Sequence, residues 1–543
     1  MNLMAVLLVA SVTCGVAAQG FVRIRMEPLA LDPARGECSC SGARCPPGVG
    51  CPGTGPAPSP ASGAGAVTTR WWYWNRDRWL PRPRRVSSRA AVNGVTQAGA
   101  TGLSWLFEVA NDEDPRQRAM AILAIGHAGP RLDGLPRLIR ALADADAGVR
   151  RLALLALGEH AGPRARFELV RAMNDGERPG DERSLAVLAY GVAAAIDGDV
   201  GGLELRRLAA SAEVAPMREV ACAADLLLGR GVLAATAARW CLDRGAPLAL
   251  AVQASIAHTP RCDVRAALSE PLVANSMVIR TAAREQALAS GQISKPEVLR
   301  WFGEASLEHR ARSILAAIGS PAFDTLLQQG LDQSTLRGTC ALGYAVHSAG
   351  AADAADGLLK MASRSRSQAD QPWWLLAAQI VGDIAAVPRA RAILQDSRAP
   401  IAMRVAAVDV LAMAGGEALH ALRLAVALDP AAAVRLQAAD GLARHGGAAD
   451  VAALQGALSR ATDKAEIASL LISLGRSRSA TFAATLHRHC VDDAVSSEER
   501  AGAWFGLQLQ LRWSGESQLG RLPHGIAFGH LSSAMLALAD RSR

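Results

Sequence analysis

The sequence predicts an all-α fold built as a solenoid, a row of helix pairs stacked side by side, and three observations carry that prediction. The first is self-similarity. Asp114, Arg118, Ala121, Ile125 and Gly126 recur in the same spacing as Asp146, Arg150, Ala153, Leu157 and Gly158. A further step of nearly the same length brings Arg150 to Arg183, Leu152 to Leu185, Ala153 to Ala186, Leu155 to Leu188 and Gly158 to Gly191. A recurrence at this period is the signature of stacked supersecondary units, each too small to bury its own apolar face. The second is composition: half of the 543 residues are apolar but only 4% are aromatic, so the helices must pack through Ala and Leu at short range. The third is the return of the register late in the chain, where Arg404, Ala407, Leu411 and Ala412 find their counterparts one period on in Arg435, Ala438, Leu442 and Ala443.

Charge narrows the partners. The net charge of +8 suggests nucleic acid until it is divided along the chain. Residues 1–102 hold eleven Arg against Glu27, Asp32, Glu37 and Asp77, which is +7, and leave +1 for residues 103–543. The array is nearly neutral, so nucleic acid is not its expected partner. Lys295, Lys360 and Lys464 are the only lysines, a bias from which no function follows.

In chain order, residues 1–18 read as a signal peptide. Leu3–Val12 is a short apolar run, and Val16, Ala17 and Ala18 before Gln19 suit a small-residue cleavage site. No basic residue precedes the run, and Arg23 and Arg25 follow it, so an uncleaved anchor competes with export. The run is shorter than the about 20 apolar residues a membrane span needs. The expected location is the periplasm or the exterior, with membrane attachment only through this segment.

Residues 19–69 turn to Pro, Gly, Ser and Ala, and cannot bury enough apolar surface to offset their ordering entropy, so they read as a disordered linker. The linker holds Cys38, Cys40, Cys45 and Cys51. Two local disulfides, with three pairings open, and unpaired thiols both fit; the spacings match no standard zinc finger.

Residues 70–102 follow as a segment rich in Trp and Arg. Trp71, Trp72, Trp74 and Trp79 interleave with Arg76 and Arg78, a composition suited to a protein partner, to stacked bases or to an anionic surface. The competing and favoured reading is that Trp72, Trp74 and Trp79 fold back and cap the apolar end of the first repeat.

The array itself occupies 103–543. Gly102–Ala110 gives its first outer helix, and Leu135–Ala143 pairs with the helix from Val149. Inner helices are expected at Met217–Leu228, Pro247–Ala257, Val278–Ala289, His309–Ile318, Thr335–His347 and Trp373–Ile384, and again at Leu470–Leu474 and Glu499–Leu511. Gly126, Gly158 and Gly191 are expected to end their helices. The stretch from Leu522 departs from the pattern and reads as a frayed cap.

The unit, an outer helix, an Asp-containing turn and an inner helix of the form V-R-x-x-A-x-x-A-L-G, resembles HEAT repeats, in particular the short bacterial HEAT-like type first associated with phycobilisome lyases. The resemblance implies a right-handed α-solenoid of about 13 HEAT-like helix pairs over residues 103–543. It includes an Asp six residues before each helix Arg: Asp112 with Arg118, Asp144 with Arg150, Asp429 with Arg435. In that family such pairs form a ladder between neighbouring repeats. An Asp at a helix start also suits the positive end of the dipole.

Chemistry is sparse. His487, His489 and Cys490 are the nearest approach to a metal cluster, but on a helix His489 points away from the other two. Glu159-His160 and Glu308-His309 invite comparison with HEAT-like di-iron hydroxylases; the order is reversed here and the ligand roles are not carried over. Cys222, Cys241, Cys262, Cys340 and Cys490 sit in or beside apolar helices as small core side chains. The reading is a scaffold with no catalytic, cofactor-binding or metal-binding residue assigned, whose concave face, lined by inner helices with Arg151, Arg218 and Arg404 placed by position, takes a protein partner. An accessory or lyase-like enzyme is implied by the resemblance alone, and binding to nucleic acid or an anionic surface through the Trp/Arg segment is the third reading.

Overall fold

The computed structural model describes residues 104–129, 133–198, 277–291, 293–351, 353–362, 370–477, 479–492 and 494–511, together with 67–69, 72, 80, 205 and 207. The signal segment, the four linker cysteines, the expected helices Met217–Leu228 and Pro247–Ala257, and the stretch from Leu522 lie outside them.

Every long element among the described residues is an α-helix, and the helices alternate between two layers. The first three outer–inner pairs are α1 (Ser104–Val109) with α2 (Pro115–Ala128), α3 (Leu135–Ala141) with α4 (Ala147–His160), and α5 (Pro163–Asn174) with α6 (Gly180–Ile196). Beyond residue 276, α7 (Met277–Ser290) lies in the inner layer. After it come α8 (Lys295–Glu304) with α9 (Leu307–Ala316), α10 (Ala322–Leu331) with α11 (Arg337–His347), and α12 (Ala354–Ala362) with α13 (Gln371–Ile380). The last four pairs are α14 (Ala386–Gln395) with α15 (Ile401–Ala414), α16 (Leu419–Leu428) with α17 (Ala432–His445), α18 (Ala448–Arg460) with α19 (Lys464–Arg476), and α20 (Ala483–Val491) with α21 (Ser497–Leu511). The inner helices expected near Val278, His309, Thr335 and Trp373 are α7, α9, α11 and α13.

Local chemistry sets the helix ends. Asp114 and Asp146 cap α2 and α4 by accepting the amides of Arg116 and Val149, and Pro115 occupies the first turn of α2, where its missing N–H costs nothing. Gly129, Gly415 and Gly446 end α2, α15 and α17 with φ of 62°, 65° and 64°, a region glycine enters freely.

Gly126, Gly158 and Gly191 do not end helices, contrary to the sequence reading; each lies inside α2, α4 or α6. At the first two the reason is proximity. A Cβ on Gly126 would come within 2.5 Å of the Ala156 Cα, and one on Gly158 within 2.8 Å of the Ala189 carbonyl oxygen. Gly475 and Gly506 meet backbone to backbone in the same way between α19 and α21. Small residues therefore let successive inner helices touch.

Burial separates the layers. Ten consecutive residues of α2, Ala119–Ala128, are buried, as are eight of α21, Ala501–Gln508. At about 100° per residue such runs sample every side of a helix, so these inner helices present no solvent-facing stripe. Outer helices are amphipathic: α5 buries only Ala165, Leu169, Ala172 and Met173.

The two ends of the array meet. α21 packs against α2 as well as α19. Trp105 of α1 stacks on His487 of α20 with ring centroids 4.2 Å apart and leans on Trp504 of α21 at 5.6 Å, and the Trp504 indole donates to Gln117 Oε1 at 3.1 Å. The apolar end of the first repeat is thus covered by the last repeat. Trp72 is not its cap: it is buried in the core, with its indole bonded to Asp409 of α15. Trp74 and Trp79 lie outside the described residues.

Among the described residues no helix is long and apolar enough to cross a membrane.

Candidate functional site

Three constellations stand out from the helical frame: an arginine ladder along the turns, the seam between the two ends, and a polar site on the inner helices.

The ladder follows from an arginine in the first turn of the inner helices. Arg118 Nη1 donates to the carbonyl oxygens of Asp112 and Glu113, Arg150 to those of Asp144 and Ala145, and Arg435 to those of Asp429 and Pro430. Arg310 does the same with Phe302 and Gly303. In each case the guanidinium serves carbonyls left without helical partners where the outer helix ends. The rest of the fork reaches forward one repeat. Arg118 meets Asp144 at 2.9 Å, Arg150 meets Glu182 at 2.8 Å, Arg404 meets Asp429 at 2.7 Å and Arg435 meets Glu466 at 2.7 Å.

This corrects the pairing read from the sequence. Asp112, Asp144 and Asp429 offer Arg118, Arg150 and Arg435 a backbone carbonyl and not a carboxylate. The Asp144 and Asp429 carboxylates belong to the arginines of the preceding repeat, Arg118 and Arg404. Each also holds the amide two residues on: Asp112 that of Asp114, Asp144 that of Asp146, Asp429 that of Ala431. A six-residue spacing ties an arginine to the turn before its helix, whereas a salt bridge between repeats spans most or all of a repeat period. Glu182 and Glu466 escaped sequence reasoning because they sit inside the helix and not in the turn; an acid one repeat period after each arginine is the signal that finds them.

Burial opposes the charge on Asp144, but the Arg118 bonds and the Asp146 amide outweigh it and hold the carboxyl below its ordinary range. Hydrogen bonding to Asp144 and Glu466 raises Arg118 and Arg435. Arg404, placed on an open inner surface by its position, is instead 4% exposed and locked to Asp429. Arg151 is half-buried, and Arg218 lies outside the described residues.

Aromatic contacts join the ends of the array where the ladder does not: among the described residues no arginine–carboxylate rung crosses from α21 to the turn before α2. The Trp105–His487 stack and the Trp504–Gln117 bond take that place. Burial pushes His487 below the ordinary imidazole range.

The polar site lies on α15, α17 and α19. Five residues after the ladder arginine, the early repeats carry Leu123, Leu155 and Leu188, all buried. The same register position holds Asp409 in α15 and Asp440 in α17. Asp409 is 4% exposed; its Oδ2 accepts the Trp72 indole at 2.9 Å and its Oδ1 accepts the Gln437 amide. Asp440 takes Arg444 and Arg476. Trp72 is therefore a core contact, not an open platform for bases or a partner; Trp71, Trp74, Arg76, Arg78 and Trp79 lie outside the described residues.

The remaining chemical candidates are accounted for by packing. His487 faces Trp105, Cys490 is fully buried, and among the described residues no three His, Cys, Asp or Glu side chains group as metal ligands. His309 bonds Ser306 at 2.7 Å and Glu308 pairs with Arg312, so that neighbouring pair points to different partners. Burial raises the thiols of Cys340 and Cys490 far above the range where a thiolate forms.

No curated protein matches this chain. Residues 103–191, which span α1 to most of α6 and the first two salt bridges of the ladder, match the family model for HEAT repeats. The paired all-α architecture continues beyond that match among the described residues, which supports a HEAT-repeat reading of the array.

Proposed function

We propose that this protein is a non-enzymatic scaffold that holds a protein partner against the array. HEAT repeats generally mediate protein–protein interaction, and their solenoid is typically non-catalytic. The observation in this chain that carries the reading is an apolar edge at α15–α16. Leu424 and Leu428, one helical turn apart on α16, are 45% and 75% exposed. Ile401, 43% exposed, lies one turn before Arg404, whose guanidinium grips Asp429 beside Leu428. Leu424 and Leu428 thus share one face of α16 that ends beside a buried salt bridge, an exposed apolar surface of the kind that marks contact sites.

The reading places the protein outside the cytoplasm, on the support of the Leu3–Val12 run and the small residues before Gln19. Cross-linking and capture from the exported fraction tests both parts. The wild-type chain should capture a defined protein that a Leu424→Glu, Leu428→Glu chain with an unchanged melting curve does not. Equal capture by the two chains refutes the edge, and recovery of the protein only from the cytosol refutes the location.

A further inference from the structure

The outer surface of α14, α16 and α18 combines exposed leucine with arginine that has no acid to meet. α16 packs beside α14 and beside α18. His420, Leu424 and Leu428 recur every four residues on its exposed side, so the two leucines form a stripe along the helix axis. On α14 the exposed residues include Pro388 and Ala392, and on α18 Ala448, Ala449 and Ala452, so the stripe is flanked by short side chains. The three helices carry Arg389, Arg391, Arg423 and Arg460 against one carboxylate, Asp450. Asp450 is 1% exposed and is taken by Arg423 of α16 at 2.8 Å, a rung between neighbouring outer helices. One repeat earlier the same register sets Arg391 of α14 against Ala418, before α16, where the acid would stand. Arg391 is exposed and meets no carboxylate among the described residues, and Ala392 beside it is level with Leu424 in the register.

We propose that this surface docks an amphipathic helix of a protein partner, with leucine-sized anchors on its apolar face and carboxylates on the flank that meets Arg391. This rests on the scaffold reading and deepens it by giving the partner a chemistry. Leucines one turn apart suit a second helix laid along α16, and the short side chains of α14 leave room for its ridge. The charge sets its orientation. A carboxylate on the docked helix takes the place that Asp450 fills for Arg423, and a basic flank there would be repelled. An anionic membrane is a poorer fit. Exposed Glu417 just before α16 and Asp396 just after α14 would face its headgroups, and the three outer helices hold none of the aromatic residues that anchor a protein at a lipid interface.

The test titrates the full chain into three fluorescein-labelled synthetic peptides of about 18 residues, bridged by a hydrocarbon staple to stay helical. They share one leucine face and differ only in flank residues: glutamate, glutamine or lysine. By fluorescence anisotropy the glutamate peptide should bind with a Kd of about 50 μM or tighter, the lysine peptide at least about tenfold more weakly, and the glutamine peptide between them. In the wild-type chain that preference should shrink to within about threefold at about 0.5 M salt. Leu424→Glu with Leu428→Glu should weaken the glutamate peptide at least about tenfold, and Arg391→Glu should invert the order so that the lysine peptide binds best. Binding of none of the peptides, a preference that salt leaves intact, or an order that Arg391→Glu leaves as it was overturns the proposal. So does wild-type binding to vesicles of phosphatidylcholine and phosphatidylglycerol that the leucine substitutions abolish. Capture from the exported fraction keeps the two readings apart. A partner lost with the leucine substitutions but fully held by the Arg391→Glu chain overturns the acidic helix and leaves the scaffold standing. Peptides that behave as expected beside equal capture by every chain count against the scaffold reading alone.

Discussion

The pairing of Arg404 with Asp429 yields a prediction that separates the observed ladder from the one the six-residue spacing suggests. Both Asp429 oxygens lie 2.7 Å from Arg404 Nη1, and the two side chains are 4% and 5% exposed. Asp429→Ala leaves a buried guanidinium without its counter-charge and removes the acceptor for the Ala431 amide, a loss of about 3–5 kcal/mol. Removing Arg404 as well relieves the stranded charge, so a double-mutant cycle at 404 and 429 should show a coupling of about 2–3 kcal/mol. The cycle at 429 and 435 should behave differently. Arg435 binds the Asp429 carbonyl oxygen, which an alanine retains, and its charge is met by Glu466, so their coupling should stay within about 0.5 kcal/mol. Long arrays do not unfold as one unit, and the free energies are best read from hydrogen exchange of peptides spanning 401–445. A larger coupling at 429–435 than at 404–429 would refute the forward pairing.

Further outcomes follow from the same structure. Gly126→Ala would stabilise an ordinary helix interior by roughly 0.5–1 kcal/mol, but here the new Cβ meets Ala156, and overpacking should destabilise by about 1–3 kcal/mol in urea melts. Met120→Asp, at a position 5% exposed on a helix buried on every side, should cost more than about 2 kcal/mol and mark the register of α2 by thermal melting. Asp144 titrates below its ordinary range in the folded chain, so it contributes stability above its unfolded value that is lost as pH falls through the folded one. The wild-type advantage over Asp144→Asn should therefore be full at pH 7 and shrink below about pH 4 in melts across pH.

The sequence made the array legible wherever one repeat echoes the next. The Arg118, Arg150, Arg183 register marks α2, α4 and α6, and the return at Arg404 and Arg435 marks α15 and α17, because an arginine recurs in the first turn of each of these inner helices. Pairings across repeats were not legible, since the arginine holds both the turn behind it and the acid ahead, and the nearer acid in sequence is the wrong one. The glycines were misread for a similar reason: a glycine that closes an apolar helical run suggests an end, and only the neighbouring helix shows that it is an approach. The contact of Trp72 with Asp409 and the meeting of Trp105 with His487 join residues hundreds of positions apart, where periodicity is silent. The leucine-to-aspartate change at 409 and 440 was visible in the register, and it is the one sequence signal that points to the inner site.

The array brings its last repeat onto its first. Spin labels on Glu108→Cys and Arg488→Cys, both exposed on outer helices beside the seam, test it most directly by pulsed electron resonance in a chain whose other accessible cysteines are serine. With Trp105 stacked on His487, the labels should lie about 20–30 Å apart, one helix spacing plus the label arms. In an open row, the ten described pairs alone, at about 9 Å each, put them at least roughly 80–90 Å apart along the contour, and a distribution centred beyond about 50 Å would contradict the closed arrangement.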